Sequence, residues 1–213
     1  MWQFENLKMQ SMKNRKVFIS SITIFKFSNF QISISSLIQE FILLSQFKHI
    51  STLVFDVDGV LTDSTLLVLP DGVMARRMNI KDGYALQLAV KKGYRVLIIT
   101  GGNAPEVKER LVKLGISEIW MKVEDKAAVL KEYMEQHGLV KEEVLYMGDD
   151  MPDRQVMLLA GLPCCPADAV QDIKEVSVYV SPIKGGEGAA RDVIEKVMKL
   201  RGNWGEDTTV RAR

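Results

Sequence analysis

The sequence has few of the residues on which several functional classes depend. Its 213 residues include only two cysteines, Cys164 and Cys165, and only two histidines, His49 and His137. A disulfide between adjacent cysteines would be strained, which excludes a secreted disulfide framework and favours a reducing cytoplasm. The isolated histidines argue against a serine or cysteine hydrolase, since the nucleophile of such an enzyme needs a neighbouring base.

The chain also lacks an excess of charge of either sign and any long apolar run. Its formal net charge is +1, from 28 basic and 27 acidic residues that are interleaved along the sequence. Such a balance provides no basic field for nucleic acid, so we expect a small-molecule partner. A membrane-spanning helix needs about 20 consecutive apolar residues, and no such run occurs, so no membrane segment is predicted.

The N-terminal region differs in composition from the rest. Residues 1–36 are rich in Ser, Phe, Ile and Lys and nearly free of acidic residues, and they are predicted to be an extension that is disordered or lies before the true start. Lys26 interrupts the apolar stretch that a signal peptide would need. Residues 37–50 have the apolar spacing of a short helix, residues 51–201 form the predicted domain, and residues 202–213 a flexible tail.

From Ser51 onward, short apolar runs alternate with amphipathic stretches, the pattern of βα units. This predicts an α/β fold with a Rossmann-like, doubly wound parallel sheet. The predicted strands are Thr52–Val57, Arg95–Thr100, Glu118–Val123, Val144–Gly148, Leu162–Pro166 and Val176–Val180. The predicted helices are Asp82–Lys92, Ala104–Leu114, Asp125–His137, Pro152–Ala160, Val170–Glu175 and Gly188–Arg201.

One segment after the first strand departs from this alternation. Thr65–Leu69 and Val73–Met78 look extended and are joined by Pro70-Asp71-Gly72, which predicts a short β-hairpin. Only about two dozen residues separate Asp58 from the next helix, fewer than the roughly 40 that fold alone, so we expect no separate cap domain.

The first strand ends in Asp56-Val57-Asp58-Gly59, which places two carboxylates at the edge where doubly wound sheets bind ligands. An ionised carboxylate can attack phosphorus, and Asp58 can exchange a proton with the leaving group and with water. A Mg²⁺ ion would offset the charge repulsion. Taken alone, this motif is equally consistent with a solvated turn that caps a helix.

Three later strand ends carry complementary residues. Thr100 and Gly101 can hydrogen-bond phosphate oxygens, although the segment also fits a plain turn. Lys126 starts a helix, where it points at phosphate or is simply solvated, and Asp149 lies in an acidic cluster suited to a metal or to helix capping. Four such elements at four strand ends argue together for one phosphate-handling site.

Over roughly residues 51–200 the sequence resembles phosphatases of the haloacid dehalogenase (HAD) superfamily, and the four elements match the four motifs of that superfamily. The resemblance implies Asp56 as nucleophile, Asp58 as general acid and base, and Thr100, Gly101 and Lys126 as phosphate ligands. It further implies that Mg²⁺ is held by Asp56, the carbonyl of Asp58, and Asp149, with Asp150 and Asp153 as additional acidic contacts.

Within the superfamily, the sequence is most similar to the 3-deoxy-D-manno-octulosonate 8-phosphate phosphatases, through residues 56–63, 81–84 and 185–191. The resemblance implies a sugar-acid phosphate as substrate and a homotetramer whose sites are completed by neighbouring hairpins. Gly102 departs from the family pattern, which often has arginine there. The cations predicted to meet the substrate carboxylate are Arg76, Arg77, Lys81 and Arg191.

Two other functions stay open at this point. One is a phosphatase for a nine-carbon, sialic-type sugar acid phosphate. The other is a catalytically silent, phosphatase-like oligomerisation domain, although the intact Asp56, Asp58 and Asp149 argue against it. A dinucleotide-binding module is disfavoured because its Gly-x-Gly-x-x-Gly pattern is missing from the predicted strand-to-helix turns.

Overall fold

The computed structural model describes residues 24–27, 30–205 and 207–210. These fall into two units, Met1–Glu40 and Phe41–Arg213. In the first unit, β1 (Ile24–Phe27) pairs with β2 (Phe30–Ser33) in an antiparallel hairpin that the sequence analysis did not predict. The last three residues of the predicted extension begin the following helix, and residues 1–23, 28 and 29 lie outside the described residues.

Helix α1 (Ile34–His49) begins in the first unit and ends in the second. It starts three residues before the predicted helix, which was placed at Leu37. Phe47 near its end is almost fully buried. No helix in the described ranges is both long enough and apolar enough to cross a membrane.

A six-stranded sheet forms the centre of the second unit, in the order β10-β9-β8-β3-β6-β7. All of its neighbouring strands pair in parallel, which confirms the predicted doubly wound α/β architecture. The strands are β3 (Thr52–Phe55), β6 (Arg95–Ile99), β7 (Glu118–Trp120), β8 (Val144–Met147), β9 (Leu162–Cys165) and β10 (Tyr179–Val180).

The alternation of side chains along β3 explains why its whole run is apolar. Leu53 and Phe55 point into one core, whereas Val54 points into the core on the opposite face, and all three are fully buried. The first core also receives residues of α2 (Ile80–Lys91), α3 (Pro105–Lys113) and α7 (Ala189–Leu200). The second receives residues of α4 (Lys126–His137), α5 (Arg154–Met157) and α6 (Gln171–Val176).

Helix boundaries follow local capping chemistry. The Asn79 side chain accepts a hydrogen bond from the Lys81 amide at 2.8 Å, so α2 begins two residues before the predicted Asp82. Asp125 caps α4 by accepting from the Ala128 amide at 2.9 Å. The predicted helix 152–160 is mostly turns, with only α5 helical, because Pro152 lies in a 3-10 turn at Met151–Asp153.

The predicted hairpin is present but short. β4 (Leu67–Val68) pairs antiparallel with β5 (Met74–Ala75), a 3-10 turn at Pro70–Gly72 joins them, and an isolated bridge links Thr62 to Met78. Its apolar side chains are exposed, with Leu67 at 64% and Val68 at 69%. The hairpin follows the β3 loop directly and so stands beside the carboxyl edge of the sheet.

Candidate active site

The four sequence elements meet in one cavity at the carboxyl edge of the sheet. The cavity has a volume of about 330 Å³, and its wall includes Asp56, Thr100, Lys126 and Asp149. Each follows a parallel strand or begins the helix after it, so the topology brings residues more than ninety positions apart together. The full lining comprises Asp56, Asp58, Ser64, Thr100, Gly101, Gly102, Val123, Glu124, Lys126, Asp149, Asp150, Pro152 and Asp153.

A buried ion-pair network lies on the inner side of this cavity. The Lys126 ammonium is 3.0 Å from Asp56 Oδ2 and 2.7 Å from Asp153 Oδ1. The Tyr146 hydroxyl donates to the same Asp153 oxygen at 2.7 Å, and the Asp149 amide donates to Asp153 Oδ2 at 3.2 Å. Asp153 therefore holds Lys126 against Asp56 and also fixes the backbone at Asp149.

Negative charge in this cluster exceeds the positive charge that faces it. Burial, and then repulsion by Asp153, raise the pKa of Asp56 to about 7 despite the opposing effect of Lys126. Burial, followed by Asp56 and Asp153, raises the pKa of Asp149 to about 7 as well. Burial works to lower the pKa of Lys126, but Asp56 and Asp153 together outweigh it and raise that pKa.

The carboxylates fit a divalent cation. Oxygens of Asp56, Asp149 and Asp153 lie within 4.8 Å of one another. Asp56 Oδ1 is buried without a hydrogen-bond partner, so one ligand position of the nucleophile candidate is unsatisfied by the protein. Hard oxygen donors with a surplus of negative charge are what Mg²⁺ prefers.

Gly59 allows Asp149 to reach this cluster. It has a φ of +85°, and a β-carbon built there would lie only 1.8 Å from Asp149 Oδ2. Any side chain would therefore collide with the acid as well as strain the backbone. The later glycine run supports the same loop, because the Gly186 amide donates to the Val60 carbonyl at 3.0 Å.

Asp58 faces the cavity with a different partner. Arg76 Nε donates to Asp58 Oδ1 at 2.6 Å, and Arg76 Nη2 donates to Oδ2 at 3.0 Å. Sequence analysis placed Arg76 with the substrate carboxylate, whereas in the structure its guanidinium is bound to Asp58. No local sequence signal links these residues, which lie on the hairpin stem and the strand-end loop.

The phosphate-binding candidates after β6 also reach the cavity. Thr100 is buried, and its hydroxyl oxygen accepts from the Gly102 amide at 3.1 Å. Gly101 and Gly102 line the cavity beside it. In the alternative of a plain turn, Asn103 would be expected to cap the next helix. Instead, Ala104 is the N-cap residue of α3, and no side chain caps this helix.

The remaining predicted cations do not line the cavity of this chain. The Arg77 side chain is 84% exposed and pairs with Asp63 at 2.8 Å. Lys81 and Arg191 line a separate groove, in which Arg191 pairs with Glu195 at 3.2 Å. The Arg191 guanidinium also packs over two aromatic rings, those of Tyr84 and Trp204, at 5.8 and 5.2 Å.

Sequence reasoning missed two polar residues of the cavity wall, Ser64 and Glu124. Ser64 has a φ of +59°, and its hydroxyl donates to Asp149 Oδ2 at 3.5 Å. The one feature of the sequence that could have identified Ser64 as a site residue is its position directly after the Asp56–Asp63 motif. Cys164 and Cys165 are two buried free thiols in β9, in agreement with the expectation that these adjacent cysteines form no disulfide.

Comparison with known proteins yields one consistent family. Residues 113–191 match the haloacid dehalogenase-like hydrolase family. The chain is 32% identical over 164 residues to the 3-deoxy-D-manno-octulosonate 8-phosphate phosphatase KdsC of Escherichia coli K12, covering 77% of this chain and 87% of the relative.

Solved structures of the same group share the fold. The phosphatase of this name from Moraxella catarrhalis, solved with magnesium ion, phosphate ion and KDO, has a TM-score of 0.73 and 31% identity, covering 76% of this chain and 92% of its own. That from Yersinia pestis has a TM-score of 0.74 and 27% identity, with 86% and 95% covered. The chain therefore belongs to the haloacid dehalogenase superfamily, in its family of 3-deoxy-D-manno-octulosonate 8-phosphate phosphatases, and is a phosphoric monoester hydrolase.

Proposed function

We propose that the protein hydrolyses 3-deoxy-D-manno-octulosonate 8-phosphate to the free sugar acid and inorganic phosphate, through an aspartyl-phosphate and with Mg²⁺. The carrying observation is the buried Asp56 carboxylate, paired with Lys126 at 3.0 Å in a cavity that Asp58 also lines. The relatives named above support the choice of substrate, and the reaction belongs to the synthesis of a lipopolysaccharide precursor in the cytoplasm.

In the first step, an oxygen of Asp56 attacks phosphorus, and the bond from phosphorus to the sugar oxygen breaks. The Asp58 carboxyl group gives its proton to that departing oxygen, which leaves as the sugar hydroxyl. In the second step, water attacks the phosphorus of the aspartyl-phosphate and transfers a proton to Asp58. The bond to Asp56 then breaks, which frees both the phosphate and the Asp56 carboxylate.

The other cavity residues position the phosphoryl group. Lys126 presents its ammonium to the phosphate oxygens while it stays paired with Asp153 at 2.7 Å. The Thr100 hydroxyl and the Gly101 amide supply hydrogen bonds at the end of β6. Asp56, Asp149 and the Asp58 carbonyl would hold Mg²⁺, which when bound supplies positive charge against the phosphate oxygens.

A homotetramer would enclose the sugar part of the substrate. The hairpin follows the β3 loop that carries Asp56 and Asp58, and its Leu67 and Val68 are 64% and 69% exposed. Burying these side chains against neighbouring hairpins would exclude water from both surfaces. Arg77, Lys81 and Arg191 stay candidates for the substrate carboxylate in such a shared site, since they do not line the cavity of their own chain.

A panel of phosphorylated sugar acids tests the proposal directly. With Mg²⁺, the purified protein should release inorganic phosphate fastest from the eight-carbon substrate, and exhaustive chelation should abolish the release. Ca²⁺ should fail to restore it, because it prefers more ligands and looser geometry than in-line transfer tolerates. A preference for the nine-carbon substrate would replace the assigned substrate, and no release from any ester would leave only the silent domain.

A further inference from the structure

The ion pair between Arg76 and Asp58 uses the most directional geometry available to a guanidinium. Two nitrogens of one edge meet two oxygens of one carboxylate, at 2.6 and 3.0 Å, which fixes the plane of the Asp58 carboxylate as well as its position. Arg76 Nη1 donates to the Met74 carbonyl at 3.2 Å, which anchors the guanidinium to β5. The hairpin thus holds the Asp58 side chain in place through Arg76.

The two partners differ in their exposure. The Arg76 side chain is 8% exposed and does not line the cavity, whereas that of Asp58 is 39% exposed and does. Arg76 therefore lies behind Asp58, away from the position of the phosphate. A guanidinium only donates hydrogen bonds, so both Asp58 oxygens accept from it, and each keeps a further acceptor position toward the cavity.

Gly102 lies next to the Arg76–Asp58 pair, and its lack of a side chain leaves room for the pair. A β-carbon built at Gly102 would lie 3.1 Å from Asp58 Oδ2 and 3.5 Å from Arg76 Nη2. The Gly102 backbone does not have the positive φ that strains other residues, so the contact alone limits this position. An alanine at position 102 would push on the carboxylate without disturbing the loop conformation.

We propose that Arg76 is a positioning residue that holds the Asp58 carboxylate ready to accept the proton of the water that hydrolyses the aspartyl-phosphate. This inference rests on the proposed function. In that step the water oxygen bonds to phosphorus, its proton passes to an Asp58 oxygen, and the bond from Asp56 to phosphorus breaks. A carboxylate that rotates freely would meet the water in the required orientation less often.

p-Nitrophenyl phosphate separates this step from the one before it. Its leaving group is a stable anion that needs no proton, so kcat/KM reports transfer to Asp56 without help from Asp58. We expect Arg76→Met to retain kcat/KM within about threefold while kcat falls about 10- to 100-fold. The acid-quenched variant should accumulate phosphorylated protein, preceded by a burst of nitrophenolate close to one per active site.

Three matched variants complete the experiment. Arg76→Lys should recover part of kcat, since one ammonium can still hold one oxygen, and Gly102→Ala should reproduce the loss of kcat in milder form. Arg95→Met removes an exposed arginine at the amino end of β6 and should change nothing. Circular dichroism and thermal unfolding of each variant establish that it is folded.

The outcomes separate the inference from the proposed function. Equal losses of kcat and kcat/KM, without phosphorylated protein, would assign Arg76 a merely structural role and overturn the inference. A rise of KM confined to sugar-acid substrates would make Arg76 a substrate ligand and overturn it too. Wild-type protein that releases no phosphate with Mg²⁺ from any ester would overturn the proposed function itself, and the inference with it.

Discussion

At the scale of single residues, the site is organised around one buried cation among several carboxylates. Lys126 contacts both Asp56 and Asp153, yet burial and mutual repulsion still leave the pKa of Asp56 at about 7. Burial and the neighbouring carboxylates raise the pKa of Asp149 to about 7 as well. The described residues do not neutralise this cluster, so a bound cation fits the site, and we expect changes to its charges to have large effects.

We expect Asp56→Asn to abolish phosphate release while the fold is retained. The amide has nearly the same shape but cannot act as an anionic nucleophile, and Lys126 keeps Asp153 as its partner. Phosphate release and the thermal unfolding midpoint should be measured together, with the exposed Asp172→Asn as the control. Activity of even about a tenth of wild type would rule out the covalent mechanism.

Lys126→Met should lower both activity and stability. Removing one partner of a buried ion pair leaves uncompensated charge, at a cost of about 3 kcal/mol. Because the carboxyl pKa values would then be raised further, the loss should be largest near pH 8 and smaller near pH 5, where protonation removes the charge. Denaturant unfolding without metal measures it, beside Lys131→Met on the exposed face of α4. A loss independent of pH would contradict the charge explanation.

At the scale of elements, Asp82 joins the start of α2 to the start of α7. Its Oδ1 accepts from the Arg191 amide at 2.7 Å, whereas its Oδ2 is buried without a partner. Burial raises the pKa of Asp82 to about 6. The contact between the two helices therefore carries an electrostatic cost at neutral pH that a neutral side chain would avoid.

Asp82→Asn should remove a pH dependence of stability. The folded protein keeps a proton on Asp82 between about pH 4 and pH 6 that the unfolded chain has released, so the contribution of Asp82 to wild-type stability falls as pH rises through this window. The stability of the variant should rise relative to that of the wild type over the same window, by roughly 3 kcal/mol at most, and then level off. Denaturant titrations at pH 4, 5, 6 and 7 would detect it, and a constant difference would refute the assignment.

More of the fold than of the site could be predicted from the sequence. Apolar runs and their spacing identified every strand of the central sheet. The signal is clearest for β3, β8 and β9, because a strand buried on both faces must be apolar throughout. The pairing of Arg76 with Asp58 could not be predicted, since it depends on how the hairpin folds back onto the β3 loop. Ser64 was missed for the same reason, and its turn conformation has no glycine to signal it.

At the scale of the whole molecule, the apolar hairpin is a surface that a single chain leaves uncovered. Leu67, Val68 and Met74 are each more than half exposed, on a two-stranded ribbon that is marginal in water by itself. Arg76 follows β5 directly and holds Asp58, so whatever fixes the hairpin also fixes a side chain of the site. Assembly and activity are therefore expected to be linked.

Val68→Glu tests that link. A charge at the centre of the proposed contact between hairpins would have to be buried without a partner, so we expect dissociation toward monomers and a parallel loss of activity on the sugar-acid substrate. Val112→Glu, on the exposed face of α3, is the matched control, since Val112 is 54% exposed and distant in sequence from the hairpin. Sedimentation velocity and phosphate release should be followed over one dilution series. A fully active Val68→Glu monomer would refute the shared site, and an unchanged oligomer would show that the subunits meet elsewhere.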